Sequence, residues 1–276
     1  MPSNLETIEK NLLQAGVRTL DLHGKFMFAT AIPPDIVGAL LTDTIQILED
    51  PTSEPYDYSL AGQITRGRQT KINKRQFTKS IHEFKDMIEN LAFVYVERFF
   101  AKVFGDEAHF HGKIDMHDIW IVEQKANDYN PLHLHTNESP AGLSGVCYLQ
   151  TPECIALRNP QESGMGSVKN QAGYLNILSG TKLQPDLNNF VLPSTLSICP
   201  AEGNLVMFPQ DTPHQVYAFE GEGSRICLAF NINVWYKQEG MTRWSDLLSV
   251  VPEYRNKVGH LPDSEKIKVA DWDEEK

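Results

Sequence analysis

Cysteine is scarce in this chain of 276 residues. The four present are Cys147, Cys154, Cys199 and Cys227, and no two form a CxxC pair. The signature of a dithiol redox centre or a cysteine-built zinc module is therefore missing. The residues read as reduced, mostly buried thiols of a cytosolic protein. Long apolar runs are absent too, and nothing approaches the roughly 18 residues that a membrane span needs. Positive charge is in deficit: 25 Lys and Arg face 36 Asp and Glu, a net charge of −11. That field disfavours nucleic acid and anionic membrane as partners. The opening MPSNLETIEK has no apolar core region and predicts no secretory signal. Internal repeats and low-complexity tracts are also absent.

What is present suits a globular protein able to bury a sizeable core, 41% hydrophobic and 22% charged. Residues 17–31 read as one or two short strands. Pro33 and Pro34 open a helix over about 35–49, with Ile36, Val37, Leu40, Leu41, Ile45 and Leu48 at helical spacing. Residues 50–76 read as loop. The basic run Arg66, Arg68, Lys71, Lys74, Arg75 and Lys79 reads as a solvated segment. A longer helix is predicted at 77–104, with one buried stripe through Phe77, Ile81, Phe84, Ile88, Leu91 and Tyr95.

From His111 the pattern turns β-rich. Candidate strands are 115–124, 131–136, 143–150, 154–158, 173–178, 195–199, 204–208, 214–219 and 224–235. Their short, regular spacing argues for an antiparallel sandwich or barrel. A short helix, Trp244 to Val251, and an acidic end follow. The expectation is one α+β domain over 1–276. Residues 17–110 form a helical N-terminal layer, 111–240 the β core, and 241–276 a C-terminal extension.

The most informative segment is Tyr129-Asn130-Pro131-Leu132-His133-Leu134-His135-Thr136-Asn137. Two histidines two apart on an extended segment share one face. About eighty residues later, Phe208-Pro209-Gln210-Asp211-Thr212-Pro213-His214 ends an apolar strand in a turn that bears a third. Bulges and turns of this kind place metal ligands at barrel mouths. Three imidazoles on one side of a metal leave the other side open, although residue type alone does not choose the metal. His23, His82, His109, His111, His117 and His260 have no partner at ligand spacing and read as ordinary surface or core residues.

Arg225 narrows the chemistry. Period two along Ser224–Asn231 puts Arg225, Cys227, Ala229 and Asn231 on one face and apolar Ile226, Leu228 and Phe230 on the other. A guanidinium facing a barrel interior is costly unless paired. A dicarboxylate cosubstrate would pair it, and so would an internal Asp or Glu.

These segments together resemble the 2-oxoglutarate and iron(II)-dependent oxygenase superfamily, and within it a group common in bacteriophages and marine bacteria. The resemblance rests on His133–Asn137, the strand Leu143–Leu149, Gly203–Pro209 leading to His214, and Arg225–Asn231. Leu60–Ile64 adds to it. It is strong over about 115–235 and weaker over 17–110. It implies a double-stranded β-helix, or jelly roll, with iron at one mouth. By position, His133 matches the first ligand, His214 the distal ligand and Arg225 the anchor of the cosubstrate's far carboxylate. Tyr148 matches a tyrosine that supports that carboxylate, and Asn231 and Trp120 would line the pocket. The implied cofactors are Fe(II), 2-oxoglutarate and O2. The implied reaction is oxidative decarboxylation to succinate and CO2, coupled to hydroxylation of a small-molecule or protein substrate.

The chain departs from the superfamily at one ligand. Where relatives carry Asp or Glu, this chain carries His135. Either the triad is His133, His135 and His214, or the register shifts and His135 pairs with Asn137. Three histidines are preferred, because imidazole is the far better ligand. Three neutral imidazoles leave Fe²⁺ at +2, which bound 2-oxoglutarate neutralises. Two alternatives stand beside this reading. One is a cupin-type metalloprotein using Glu138, in which Arg225 has no task. The other is a non-catalytic binding protein on the same fold.

Overall fold

The computed structural model describes residues 4–22, 25–106, 108–135, 141–156, 171–178 and 195–236. Residues 1–235 form one compact unit and 236–276 a second. Apart from Tyr236, the second lies outside the described residues, so the helix expected at 244–251 does too.

The chain begins with helix α1 (Asn4–Gln14), strands β1 (Arg18–Leu22) and β2 (Lys25–Ala31), and helix α2 (Pro34–Glu49). Strands β3 (Glu54–Pro55) and β4 (Arg68–Lys71) precede the long helix α3 (Lys79–Phe104). The β-rich part follows as β5 (Gly112–Gln124), β6 (Asn130–His133), β7 (Ala141–Gln150), the one-turn helix α4 (Glu153–Ala156), β8 (Leu175–Leu178), β9 (Thr195–Ile198), β10 (Asn204–Pro209), β11 (His214–Val216) and β12 (Arg225–Tyr236).

From β5 onward the chain divides its strands between two antiparallel sheets. Strands β10, β7, β12 and β5 are consecutive in the larger sheet, and β6, β11, β8 and β9 make up the smaller one. This is a double-stranded β-helix, as expected. The N-terminal strands extend the larger sheet on both sides, β1 and β2 beyond β10, and β4 and β3 beyond β5. The two sheets meet over Met27, Val206 and Phe208 from one and Leu175, Ile177 and Val216 from the other, all buried. Each such side chain contributes about 1.5–3 kcal/mol on leaving water. Gly145 on β7 leaves room for the ring of its cross-strand neighbour Phe230 on β12. A Cβ there would stand 2.4 Å from the Phe230 ring and 2.5 Å from the Val206 carbonyl oxygen.

The helices back this core. Prolines open α2, and its buried face carries Val37, Leu40, Thr44, Ile47 and Leu48. Helix α3 is capped by Thr78, whose hydroxyl accepts from the Ile81 N–H, and it stops at Gly105, where φ is +97°. Phe84 of α3 packs edge-on against Phe230 of β12. Helix α1 was not anticipated, although Leu5, Ile8 and Leu12 follow helical spacing. A buried Arg98 on α3 clasps it through Glu9, with Nη2 at 2.6 Å. Among the described residues no helix is long and apolar enough to cross a membrane.

Two expectations fail. Residues 154–156 of the strand expected at 154–158 are not extended: Glu153–Ala156 is a helical turn that buries Ile155 against Tyr174 and Phe219, and 157–158 lie outside the described residues. The tertiary pocket overrides the local apolar run. The basic segment is also not simply a loop. Arg68–Lys71 pair with β5 in register from Arg68↔Glu123 to Lys71↔Trp120. The Arg68 guanidinium meets Glu123 at 3.2 Å, and Lys71 meets Asp118 at 2.9 Å. Lacking apolar residues, R-Q-T-K gives no strand signal; its order comes from the ladder and from these acids.

Candidate metal centre

His133 ends β6 and His214 begins β11, and the two are direct cross-strand partners. A register irregularity separates His214 from Val216, the bulge expected beside this histidine. The backbone runs on past β6, and the His135 N–H donates to the Gln210 carbonyl at 2.9 Å. That bond brings His135 beside the other two. Ring centroids lie 4.2 Å apart for His133 and His214, 5.0 Å for His135 and His214, and 5.3 Å for His133 and His135. One nitrogen from each of the three lies within 4.8 Å of the others. Asn137 and Glu138 fall outside the described residues.

The backbone selects which nitrogens face inward. Nδ1 of His133 lies 2.7 Å from the Pro131 carbonyl oxygen, and Nδ1 of His214 lies 2.8 Å from that of Thr212. A carbonyl oxygen only accepts, so each Nδ1 carries the proton and each Nε2 keeps its lone pair. Protein-bound metal centres use this tautomer control. Nε2 of His135 stands 3.2 Å from Nε2 of His214. Two nitrogens about 2.1 Å from one ion and at right angles to each other would sit about 3 Å apart, so the pair fits a shared cation. The rings resist protonation. Burial pulls His133 below the usual range. Burial, then His214 and His133, bring His135 down to about 3. Burial and His133 bring His214 down to about 4. Three neutral, convergent imidazoles, His214 buried and His133 and His135 half-buried, form a donor set suited to a divalent transition metal.

The turn before β6 is held by a group that had seemed only polar. Asp128 is fully buried and accepts from the backbone N–H groups of Thr65, Arg66, Gly67 and Lys125 at 2.8–3.0 Å. Burial works to raise its pKa, but the four donors prevail and hold the carboxyl below the ordinary value. The carboxylate thus ties residues 65–67 to the turn that sets His133. Hydrogen bonds to a charged acceptor are worth about 1.5–3 kcal/mol each, so Asp128→Asn is expected to cost about 2–4 kcal/mol in urea unfolding. With a depressed folded pKa, this contribution is present above the unfolded value. It fades as pH falls through the folded one, so wild type and variant should converge in acid.

The same cavity is lined by His133, His135, His214, Trp120, Tyr148 and Arg225. Arg225 opens β12 and is 2% exposed. Its Nη1 donates to the Gly173 carbonyl at 2.7 Å, and its guanidinium lies 5.6 Å from the Tyr148 ring centroid. Its Nε has no hydrogen-bond partner among the described residues, and no carboxylate there forms a salt bridge with it. Burial raises the Tyr148 phenol, against the opposing pull of Arg225, so it stays a neutral donor. Cys227 on the same face is likewise held as a thiol by burial. Asn231 also lies on that face. It accepts from the Ser144 hydroxyl at 2.8 Å and hydrogen-bonds His135. Asn130, held by Gln124 at 2.9 Å, is a further polar lining residue that sequence reasoning passed over.

Of the histidines set aside, His82 packs on Phe77, His109 faces Glu97 and His117 faces Asp118. His23 and His260 lie outside the described residues.

Residues 118–231 match a protein family described as "Putative 2OG-Fe(II) oxygenase". The matched segment lies within the β-helical core. The match spans β5 to β12 and so contains the three histidines, Tyr148 and Arg225. Oxygenases of this family use Fe(II), 2-oxoglutarate and O2. No curated protein matches the sequence. Among solved structures, this chain is similar to a Pseudomonas putida prolyl-4-hydroxylase at 15% identity, covering 86% of this chain and 100% of that one, with a TM-score of 0.47. A Trichoplax adhaerens prolyl hydroxylase in complex with a hypoxia inducible factor peptide fragment matches at 13% identity, covering 86% and 91%, with a TM-score of 0.47. The epimerase SnoN from nogalamycin biosynthesis matches at 12% identity, covering 86% and 87%, with a TM-score of 0.49.

Proposed function

We propose that the chain is an Fe(II)- and 2-oxoglutarate-dependent dioxygenase that hydroxylates a small-molecule or protein substrate. In this reading His133, His135 and His214 hold the iron, and Arg225 with Tyr148 holds the far carboxylate of 2-oxoglutarate. One observation carries it: three convergent imidazoles and a buried guanidinium whose Nε has no partner among the described residues line one cavity. When bound, the iron supplies the oxidising chemistry that couples decarboxylation of 2-oxoglutarate to C–H hydroxylation.

The protein's own tasks follow from its geometry. The Pro131 and Thr212 carbonyls fix two imidazoles in the ligating tautomer. Asn231, linked to Ser144, steadies His135. Arg225 and Tyr148 offer a cation and a hydroxyl donor in the same cavity, which suits a carboxylate. The walls Trp120, Val122, Leu175, Phe208 and Val216 exclude water around the reacting groups. A cupin-type site would leave the Arg225 charge without an anionic partner, so its position favours the oxygenase.

The test is anaerobic addition of Fe(II) and then 2-oxoglutarate, followed by O2 and assay of succinate. The expected results are stoichiometric iron uptake, a new charge-transfer absorption on adding 2-oxoglutarate, and slow uncoupled succinate release. Iron uptake with neither absorption nor succinate would sink the proposal.

A further inference from the structure

A line of aromatic rings leaves the histidine cluster. The Trp120 ring lies 6.0 Å from His135, centroid to centroid. Tyr56 lies 5.9 Å from Trp120, edge-on, and Tyr58 lies 6.2 Å beyond Tyr56. Trp120 and Tyr56 are buried, whereas Tyr58 is 77% exposed. Both phenols face a carboxylate. The Tyr56 hydroxyl donates to Asp118 Oδ2 at 3.1 Å, and the Tyr58 hydroxyl donates to Glu54 Oε1 at 3.3 Å. Lys71 sits 4.8 Å over the Tyr56 ring while pairing with Asp118.

We propose that Trp120, Tyr56 and Tyr58 form an electron relay that carries oxidising equivalents from the iron site to the surface when no substrate is there to take them. The inference rests on the function proposed above. Electron tunnelling weakens exponentially with distance, so three short ring-to-ring steps outrun one long jump. The oxidant is the strong one-electron acceptor generated at the site from Fe(II), O2 and 2-oxoglutarate. It holds two oxidising equivalents and takes one electron from Trp120 in each of two passes, with one proton from solvent each time, so that oxygen leaves as water and the iron returns to Fe(II). The oxidised indole takes one from Tyr56, whose phenolic proton moves to Asp118. Lys71 makes that proton loss necessary, because a cation over the ring opposes positive charge on it. Tyr58 then returns an electron to Tyr56 and gives its proton to Glu54, while Asp118 returns its proton to Tyr56. A small one-electron reductant of the ascorbate class restores Tyr58, and the proton on Glu54 returns to the phenol. Trp120 is then spared as a cavity wall, and His135 as a ligand.

Full-length protein loaded with Fe(II) tests the relay in two arms without primary substrate. One receives 2-oxoglutarate and O2, the other hydrogen peroxide alone. Freeze-quenched samples are read by electron paramagnetic resonance, and digests are mapped by mass spectrometry for added oxygen. A tyrosyl radical is expected, with modification concentrated on Tyr58 and suppressed by ascorbate. In Tyr56→Phe the ring remains but the proton route is lost. Modification at Tyr58 should then fall about tenfold, and modification at Trp120 and His135 should rise severalfold. Tyr58→Ala, at an exposed position, should abolish the surface product and leave the radical on Tyr56. The same distribution in wild type and Tyr56→Phe would overturn the relay. Equal Tyr58 modification in zinc-loaded protein given peroxide would overturn it too. If 2-oxoglutarate is not consumed, the proposed function fails and the peroxide arm still decides the relay. Failure of iron to bind would overturn both.

Discussion

Arg225→Met is expected to raise the apparent KM for 2-oxoglutarate by about 100- to 1000-fold, since truncating one partner of a buried, hydrogen-bonded charge pair costs about 2–5 kcal/mol. Methionine keeps the length and much of the bulk of the side chain, so the cavity walls stay in place. It removes the charge, the free Nε and the Nη1 bond to Gly173. Iron affinity should change little, because Arg225 is not among the metal-ligating cluster. The decisive measurement is succinate formation against 2-oxoglutarate concentration, with iron content measured on the same samples. An unchanged constant would refute the anchor assignment. A parallel loss of iron would show that the substitution disturbs the fold instead. At saturating cosubstrate kcat should largely recover, since the interaction serves binding more than the chemical step.

His214→Ala is expected to abolish iron retention and to bring succinate release to background. The loss should exceed the roughly 10- to 100-fold that removing an outer partner of a metal ligand typically costs. A second consequence concerns acid. Burial and His133 lower His214 from an ordinary value near 6.5 to about 4 in the folded chain. The unfolded chain therefore binds the proton first. Stability from this group is complete above pH 6.5 and declines as pH falls toward 4, by about 3 kcal/mol for a displacement of that size. His135, lowered further, extends the decline to about pH 3. The metal-free wild type should thus lose stability steeply between pH 6.5 and 4. His214→Ala should flatten that slope even though it opens a cavity beside Phe208. Chemical denaturation at a series of pH values, in chelator, reads both. A slope unaffected by the substitution would show that His214 is not held neutral.

The order of β strands was legible because turns and alternation are local properties. The two histidines of His133-Leu134-His135 were legible as partners for the same reason. The approach of His214 was expected from its place after an apolar strand, and the His133↔His214 register supplies the geometry. What stayed hidden depends on distant contacts. Asp128 looks like any polar turn residue until the N–H groups of residues 65–67 close on it from some sixty positions away. Arg68–Lys71 have no apolar pattern and become a strand only against β5. Ile155 falls in an apolar run that reads as strand, yet its pocket under Phe219 demands a helical turn. Helix α1 differs, because its spacing was present and its polar faces masked it.

Strand β6 lies at the edge of the smaller sheet, four residues long, paired on one side to the three residues of β11. So short a ladder holds its outer strand weakly. Yet β6 and the two residues after it carry His133 and His135, while β11 carries His214. A cation shared among the three would act as a rivet joining this edge strand to the body of the barrel. Loading the site and closing the mouth would then be one event. The amides of residues 132–135 should exchange with solvent quickly in chelator and slowly with metal, while those of β7 and β12 stay indifferent.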